Sequence, residues 1–139
     1  SCADNYDVII MAAAVADFQP SLPADRKLKK SQQITNLEIE PTHDFLIDLG
    51  KGKSSHQIIV GFAAETEELE KNAKEKLERK NLDLIVANDV TAPGTGFAYD
   101  TNEVLLITEQ GKTNVPLASK RVVADKILDA VLGLRESKV

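Results

Sequence analysis

Residues 58–87, IIVGFAAETEELEKNAKEKLERKNLDLIVA, decide the fold of this chain. The stretch begins and ends with short apolar runs, 58–64 and 82–87, and a third run of the same kind occupies 8–16. Each run stops after one short stretch, which is typical of strands that are buried on both faces. The three runs therefore predict a mainly parallel sheet that is covered by helices.

The charged segment 66–81, between the last two runs, has the pattern of an amphipathic helix. Its apolar residues lie four positions apart and form a narrow stripe: Leu69, Ala73 and Leu77. We expect Thr66 to cap this helix, because acids follow it in the first turn and cations fill the later turns. Strand, helix and strand then form a β-α-β unit with a right-handed crossover.

The segment between the first two runs is organised differently. Residues 28–30 and 36–40 predict a small hairpin or arm. Residues 43–49 predict a short helix that ends at Gly50, before a Gly- and Ser-containing stretch.

The last third of the chain predicts two strands and a helix. Segments 102–108 and 113–117 have strand patterns, and Ser119 is placed to cap a helix that keeps a helical period of apolar residues. Together the patterns predict a single α/β domain over 1–139. The expected fold is Rossmann-like and three-layered, with a mainly parallel central sheet and residues 27–41 as a flap and β arm.

Composition limits the classes of function. The chain has 139 residues and a formal charge of −5, which argues against non-specific nucleic-acid binding. Cys2 is the only cysteine, so disulfides within the chain are excluded. No apolar run approaches the roughly 18 residues of a membrane helix, and no signal-peptide pattern opens the chain. We therefore expect a cytoplasmic protein that binds neither membrane nor nucleic acid.

A basic cluster stands out in this acidic chain. The segment 25–30, DRKLKK, contains four cations: Arg26, Lys27, Lys29 and Lys30. Lysine and arginine bind phosphate groups well, so the cluster favours a polyanionic ligand such as a nucleoside triphosphate. A solvated basic loop is the alternative interpretation.

Familiar phosphate and metal motifs are absent. Gly52-Lys53-Ser54 resembles the end of a P-loop, but the glycine needed five positions earlier is Ile47. Gly94-Thr95-Gly96 lacks the third glycine and the following helix of a dinucleotide motif. The two histidines, His43 and His56, have no partners at ligand spacing, so we expect no metal site built by protein alone. Magnesium held mainly by nucleotide phosphates remains open.

The ends of the predicted strands offer a better candidate site. Ligands of open α/β sheets bind beyond the carboxyl ends of the strands, where this chain places 13–17, 62–65 and 87–89. Small alanines there allow a base or ribose to approach the backbone, and polar side chains offer hydrogen bonds. The structural alternatives are that Asp17 caps a turn and that Glu65 serves the dipole of the next helix.

Four motifs in a fixed order resemble bacterial phosphopantothenoylcysteine synthetase. They are AAAVADF at 12–18, KLKK at 27–30, GFAAET at 61–66 and RKNLDLIVAND at 79–89. In many bacteria this enzyme is the C-terminal half of a bifunctional protein whose N-terminal half is a flavin-dependent decarboxylase. FMN would belong only to that fused half, which is not present in this chain.

The resemblance implies a ligase of coenzyme A biosynthesis. The carboxylate of 4′-phosphopantothenate attacks the α-phosphate of CTP, which gives an acyl-cytidylate and pyrophosphate. The amine of L-cysteine then forms the amide and releases CMP. Mg²⁺ is expected with the nucleotide, and nothing in the residues themselves favours CTP over ATP.

The resemblance also implies roles for individual residues. Lys27 is similar to the catalytic lysine of a mobile loop that closes over the triphosphate and substrate. The implied nucleotide-binding residues are Ala13, Ala14, Asp17, Lys27, His43, Phe62, Lys76 and Lys80. Possible substrate or supporting residues are Lys29, Lys30, Ala63, Asn88 and Asp89. The arm over 28–40 resembles the dimerisation region of the family, so a homodimer is implied.

One departure from the family pattern concerns its first third. The opening Gly-Gly-Thr-type loop and an asparagine tied to the second half-reaction have no counterpart here. We therefore expect a domain that lacks its N-terminal part, with nucleotide contacts partly retained and full synthesis lost unless a preceding segment or fused decarboxylase supplies the rest. Two alternatives stay open: a non-catalytic nucleotide- or acyl-phosphate-binding module, and a dimerisation scaffold.

Overall fold

The computed structural model describes residues 2–22, 26, 36–89, 91 and 99–138. Its contacts divide the chain into two compact units. The sheet unit consists of Ser1–Ala12 and Phe45–Val139, and the arm unit is Ala13–Asp44. Among the described residues, no helix has the length and apolar character that are needed to cross a membrane.

A short 3₁₀ turn, Cys2–Asn5, comes before the regular elements. The strands are β1 Val8–Met11, β2 Phe18–Pro20, β3 Ile39–Pro41, β4 Ile58–Glu65, β5 Leu84–Asp89, β6 Thr101–Thr108 and β7 Gly111–Ser119. The helices are α1 Phe45–Gly52, α2 Leu69–Arg79 and α3 Lys120–Lys138.

The sheet unit contains a five-stranded sheet in the order β1-β4-β5-β6-β7. Strands β1, β4 and β5 pair in parallel, with Val8 opposite Ile58 and Val60 opposite Leu84. Strand β6 is antiparallel to both of its neighbours, so four of the five strands point in one direction. The predicted mainly parallel sheet is therefore confirmed.

Helices cover both faces of this sheet, as a three-layer fold requires. Alternate residues of β4 and β5, such as Ile58 and Leu84, pack with α3 through Val123, Ile127 and Val131. The opposite alternation, including Ile59, Ile85 and Ala63, packs with α2 through Ala73 and Leu77. Both faces of β4 and β5 are buried, which explains why their sequences are continuously apolar.

Charged and polar side chains fasten the amino ends of β4 and β5. The carboxylate of Asp83 accepts hydrogen bonds from Lys53 Nζ at 3.1 Å, Lys138 Nζ at 2.7 Å and the Ile59 amide at 2.8 Å. The buried Gln57 side chain donates to the carbonyl oxygens of Ala3 and Tyr6. Because Lys138 is the last residue of α3, these contacts fix the end of that helix against the sheet.

The start of α2 differs from the prediction. The helix begins at Leu69, and its N-cap is Glu68 in a left-handed conformation with φ 45°, without a side-chain cap. The expected cap at Thr66 is wrong, because residues 66–68 are used to turn the chain away from β4. Asn72 stabilises this turn by donating from its side chain to the Glu67 carbonyl at 2.9 Å.

The end of α1 also differs, since the helix continues through Gly50 to Gly52. Gly50 is buried inside the helix because it lies against the backbone that follows α2. The expectation for the last helix is confirmed, since Ser119 Oγ accepts a hydrogen bond from the Val122 amide at 3.3 Å.

The arm unit contains a two-stranded antiparallel sheet of β2 and β3. Strand β3 falls in the predicted arm. Its partner strand, β2, lies outside the predicted arm. The predicted first strand, 28–30, lies outside the described residues.

Candidate functional site

The carboxyl ends of β4 and β5 lie side by side and form a rim. Ala64 is opposite Asn88, and Glu65 is opposite Asp89. Paired residues of neighbouring strands project from the same face of a sheet, and successive residues project from opposite faces. Asn88 therefore lies on the α3 side of the rim and Asp89 on the α2 side.

Phe62 is the exposed aromatic of β4. It pairs with Val86, a residue of the core on the α3 side, yet 40% of Phe62 remains accessible. The earlier residues of β4 on the α3 side, Ile58 and Val60, are fully buried, so the cover that the described residues give to this side of the sheet ends before Phe62. An exposed aromatic ring at a strand end can stack against a flat ligand. Ala63, on the other face, is buried in the core beneath α2 and offers no side chain to a ligand.

Lys76 lies on α2 and reaches back to the rim. Its Nζ donates to Glu65 Oε1 at 2.5 Å, and Asn72 Nδ2 donates to Glu65 Oε2 at 3.3 Å. These residues line an open groove of about 690 Å³, together with Glu75, Glu78 and Arg79. The Glu65 carboxylate is mostly shielded, whereas about a third of the Lys76 side chain is accessible and can meet an anion.

Lys80 follows the end of α2, and the backbone fixes its position. Its amide donates to the Lys76 carbonyl at 3.1 Å. The next residue, Asn81, has a left-handed φ of 51°, and its side chain donates to the Gly50 carbonyl at 2.7 Å. A methyl group on Gly50 would lie 1.9 Å from the Lys80 carbonyl oxygen. Helix α1 therefore touches the chain directly at Lys80.

Asp89 has a structural partner at the rim. Its Oδ1 accepts from the Thr91 amide at 2.8 Å and from the Thr91 hydroxyl at 2.6 Å. This geometry is that of an Asx turn, in which the side chain of an aspartate accepts a hydrogen bond from the backbone amide two residues further along the chain. Turn formation therefore accounts for an acid at this position without a ligand.

The predicted residues of the arm unit occupy an exposed connection. Ala13, Ala14, Asp17 and His43 are all accessible. The backbone beside Asp17 is held because the Thr42 amide donates to the Asp17 carbonyl at 2.9 Å and the Thr42 hydroxyl donates to the Ala16 carbonyl. The predicted basic residues Lys27, Lys29 and Lys30 lie outside the described residues.

Glu70, a carboxylate of α2, has a strongly lowered pKa. Hydrogen bonds from Lys112 and then from Lys74 lower the pKa of Glu70 from 4.5 to about 2. Glu70 is half-buried and both lysines are exposed, so salt screens this cluster. The cluster links α2 to β7 and provides a comparison for the pair of Glu65 and Lys76.

Two residues that shape this site, Glu65 and Gly50, make contacts that the sequence did not predict. For Glu65 the sequence left two interpretations, a hydrogen-bonding residue of the site and a partner for the dipole of the next helix, and the structure pairs it with Asn72 and Lys76. Gly50 was assigned to a helix end, but it is the contact point of α1 with Lys80. The spacing of eleven residues between Glu65 and Lys76 matches no local pairing rule, so the sequence carried no signal for it.

Comparison with known proteins places the chain in a family. Residues 1–134 match the DNA/pantothenate metabolism flavoprotein C-terminal domain. The chain is 47% identical over 135 residues to the coenzyme A biosynthesis bifunctional protein CoaBC of Bacillus subtilis, covering 96% of this chain and 33% of that protein. It is 41% identical over 129 residues to a cysteine/cysteine sulfinic acid decarboxylase of an unknown prokaryotic organism, covering 92% of this chain and 36% of that protein. The chain thus spans about a third of the length of these curated relatives.

Solved structures show the same fold. The C-terminal domain of CoaBC superposes with a TM-score of 0.75 and 34% identity, covering 97% of this chain and 58% of that one. A mutant of Cab2 in complex with phosphopantothenate-cysteine superposes with a TM-score of 0.66 at 23% identity, covering 91% of this chain and 43% of that one.

These matches confirm the resemblance that the four motifs predicted. Because the family match extends over nearly the whole sequence, the chain belongs to the DNA/pantothenate metabolism flavoprotein C-terminal domain family and resembles its phosphopantothenoylcysteine synthetase members.

Proposed function

We propose that this chain is part of a phosphopantothenate–cysteine ligase of coenzyme A biosynthesis that uses CTP. The observation that carries the proposal is the 47% identity to CoaBC over 96% of the chain. The rim supports it, because Phe62 is exposed and Asn88 is half-buried at the ends of parallel strands, and about a third of the Lys76 side chain, on the adjacent α2, is accessible. The complex of Cab2 with phosphopantothenate-cysteine suggests the product of the reaction.

The proposed reaction has two steps. A carboxylate oxygen of 4′-phosphopantothenate attacks the α-phosphorus of CTP, and pyrophosphate leaves. The amine of L-cysteine then attacks the acyl carbon, loses a proton and displaces CMP, so an amide bond replaces the acyl-phosphate bond. Both reactants of the first step are anions, so cations must offset the charge that accumulates.

We assign the cationic roles to lysines. Lys76 and Lys80 would contact the nucleotide from the end of α2, where Lys76 is already directed towards the rim by Glu65. Lys27 would approach the triphosphate and substrate, as the resemblance implies, with Lys29 and Lys30 beside it. The other proposed nucleotide-binding residues, on the resemblance alone, are Ala13, Ala14, Asp17 and His43.

Mg²⁺ is proposed to arrive with the nucleotide. Among the described residues there is no group of three or more His, Cys, Asp or Glu that could hold a metal ion. Magnesium accepts one or two carboxylates and takes its other ligands from phosphates and water, so this donor set is compatible with it. When bound, the ion would neutralise phosphate charge.

We also propose that the arm unit forms a homodimer. Phe18, Pro20, Ile39 and Pro41 share one face of the β2–β3 sheet, because Phe18 pairs with Pro41 and Pro20 with Ile39. These side chains are all exposed. The other face carries a hydrogen bond of 2.9 Å between Gln19 and Glu40. A two-stranded sheet is marginal by itself, and a second copy of the chain could cover its apolar face.

Titration of the purified chain with CTP and Mg²⁺ in a calorimeter tests the nucleotide site. We expect CTP to bind, and we expect Lys76→Ala to weaken binding. Lys74→Ala is the matched control, since Lys74 is also an ion-paired lysine of α2 but pairs with Glu70. Equal losses in the two variants would contradict the assignment of Lys76.

Pyrophosphate release from CTP in the presence of 4′-phosphopantothenate tests the chemistry. It should be measured with the chain alone and with the chain joined to the remaining part of a CoaBC relative. Binding of CTP without pyrophosphate release in either form would favour the non-catalytic nucleotide-binding module. Absence of CTP binding would favour the dimerisation scaffold.

A further inference from the structure

One carboxylate at the rim has no assigned role in the proposed reaction. Glu65 ends β4, and its two oxygens accept hydrogen bonds from two residues one helical turn apart on α2: Lys76 at 2.5 Å and Asn72 at 3.3 Å. Asn72 also donates to the Glu67 carbonyl. The carboxylate therefore connects the end of a core strand to the face of the next helix.

Glu65 is more shielded from solvent than Lys76, as is expected of a residue that holds its partner in place. The side chain of Glu65 is 13% accessible, whereas that of Lys76 is 36% accessible. A shielded carboxylate bound at both oxygens is well fixed. The ammonium that it holds has three donors and keeps others available for a ligand.

We propose that Glu65 is a positioning residue of the nucleotide site, which holds Lys76 at the rim before the nucleotide binds. The inference rests on the proposed function, in which Lys76 contacts a phosphate of CTP. A lysine side chain without this contact samples many rotamers, and it must lose that freedom when the ligand arrives. Holding it in place in advance lowers this cost, as preorganisation does in other binding sites.

The charge of Glu65 also has an effect of the opposite sign on the affinity for CTP. The negative charge of Glu65 offsets the positive charge of Lys76, so its removal would by itself strengthen the attraction for phosphate. Two substitutions separate the effects. Glu65→Gln keeps an oxygen that can accept from Lys76 but removes the charge, whereas Glu65→Ala removes both.

Calorimetric affinity for CTP with Mg²⁺ is measured for the wild type, Glu65→Gln, Glu65→Ala, Lys76→Ala and the double variant Glu65→Ala/Lys76→Ala. For a positioning residue, Glu65→Ala should weaken binding about fivefold, a coupling that is usual for residues of one network. Glu65→Gln should stay near the wild type, and the double variant should bind no worse than Lys76→Ala alone. The matched control is Glu70→Gln, which removes a lysine-paired carboxylate that lies on α2 and contacts β7 instead of the rim.

A second measurement follows the position of Lys76 without any nucleotide. Lysine side-chain NMR should show a slowly exchanging ammonium for Lys76 in the wild type and in Glu65→Gln, and its loss in Glu65→Ala. This readout reports on the contact itself rather than on the stability of the fold, which circular dichroism checks separately.

The outcomes distinguish the inference from the proposed function. If the wild type binds CTP and Lys76→Ala weakens binding, but Glu65→Ala binds as well as or better than the wild type, the positioning role is wrong while the function stands. If the losses of CTP affinity in the two single variants add up in the double variant, the positioning role is wrong as well. If the wild type does not bind CTP, the proposed function fails, and the role of Glu65 towards a nucleotide fails with it.

Discussion

The contact between α1 and the end of α2 gives the sharpest test of the packing. In Gly50→Ala the new methyl carbon would lie 1.9 Å from the Lys80 carbonyl oxygen and 2.9 Å from its carbonyl carbon. Carbon and carbonyl oxygen approach to about 3.3 Å, so one backbone must move by about 1.4 Å. Such a movement would also disturb the hydrogen bond of 2.7 Å from the Asn81 side chain to the Gly50 carbonyl.

The expected cost follows from three contributions. Overpacking of a close contact costs about 1–3 kcal/mol, and here both sides are backbone, so the upper half applies. Loss of one hydrogen bond adds about 1 kcal/mol. The better helix propensity of alanine returns up to about 1 kcal/mol. We therefore expect Gly50→Ala to lower the free energy of unfolding by about 2–3 kcal/mol.

Gly52→Ala is the matched control within the same helix. Among the described residues, no atom outside the chain neighbours and the backbone of α1 itself lies within 4 Å of a methyl group at Gly52, so the change in helix propensity dominates there. Its free energy of unfolding should equal or slightly exceed that of the wild type. Urea denaturation followed by circular dichroism measures both variants.

A difference between the two variants of less than about 0.5 kcal/mol, the usual scatter of surface substitutions, would refute the close packing of α1 on Lys80. A functional consequence is expected as well. Since Lys80 is a proposed nucleotide contact, Gly50→Ala should weaken CTP binding beyond what its loss of folded protein explains, and Gly52→Ala should leave binding unchanged.

Three further predictions concern charge and assembly. Asp83→Ala removes the shielded carboxylate that pairs with Lys53 and Lys138, and it should lower the free energy of unfolding in urea by about 3 kcal/mol. Asp129→Ala breaks an exposed ion pair and should lower this free energy by less than about 0.5 kcal/mol. Because the pKa of Glu70 is depressed to about 2, the stabilisation that it draws from Lys112 is complete above about pH 4.5 and is lost as the pH falls towards 2. The stability difference between the wild type and Lys112→Ala should therefore shrink over that interval, and a constant difference would contradict this. Phe18→Asp should shift the proposed dimer to monomer in sedimentation experiments without changing the circular dichroism of the sheet unit, and an unchanged sedimentation coefficient would remove the arm from the interface.

Several of the residues in these experiments lie on helix α2. The helix presents Leu77 and Ala73 to the core, Lys76 to the rim and Glu70 to β7. One amphipathic element thus serves packing, a proposed ligand contact and an exposed charge cluster. Substitutions of Glu70 and Lys76 should separate the last two roles, because Glu70 lies in the first turn of α2 beside β7 and Lys76 lies in the last turn and reaches the rim.

The sequence by itself determined the β-α-β unit, the start of the last helix after Ser119 and the family. Continuous apolar runs mark strands buried on both faces, and the period of four marks the covered face of a helix. A serine before a helical pattern marks its cap. These signals are local, because each depends on residues within a few positions of one another.

Tertiary structure alone decided the partner of β3, the start of α2 and the contacts of Glu65 and Gly50. Phe18 and Pro41 are 23 positions apart, and Gly50 meets Lys80 across 30 positions. Which distant residues meet depends on how the elements pack, and a left-handed residue such as Glu68 redirects the chain before the helix begins. Sequence periodicity indicates which face of an element is buried, but packing determines what that face touches.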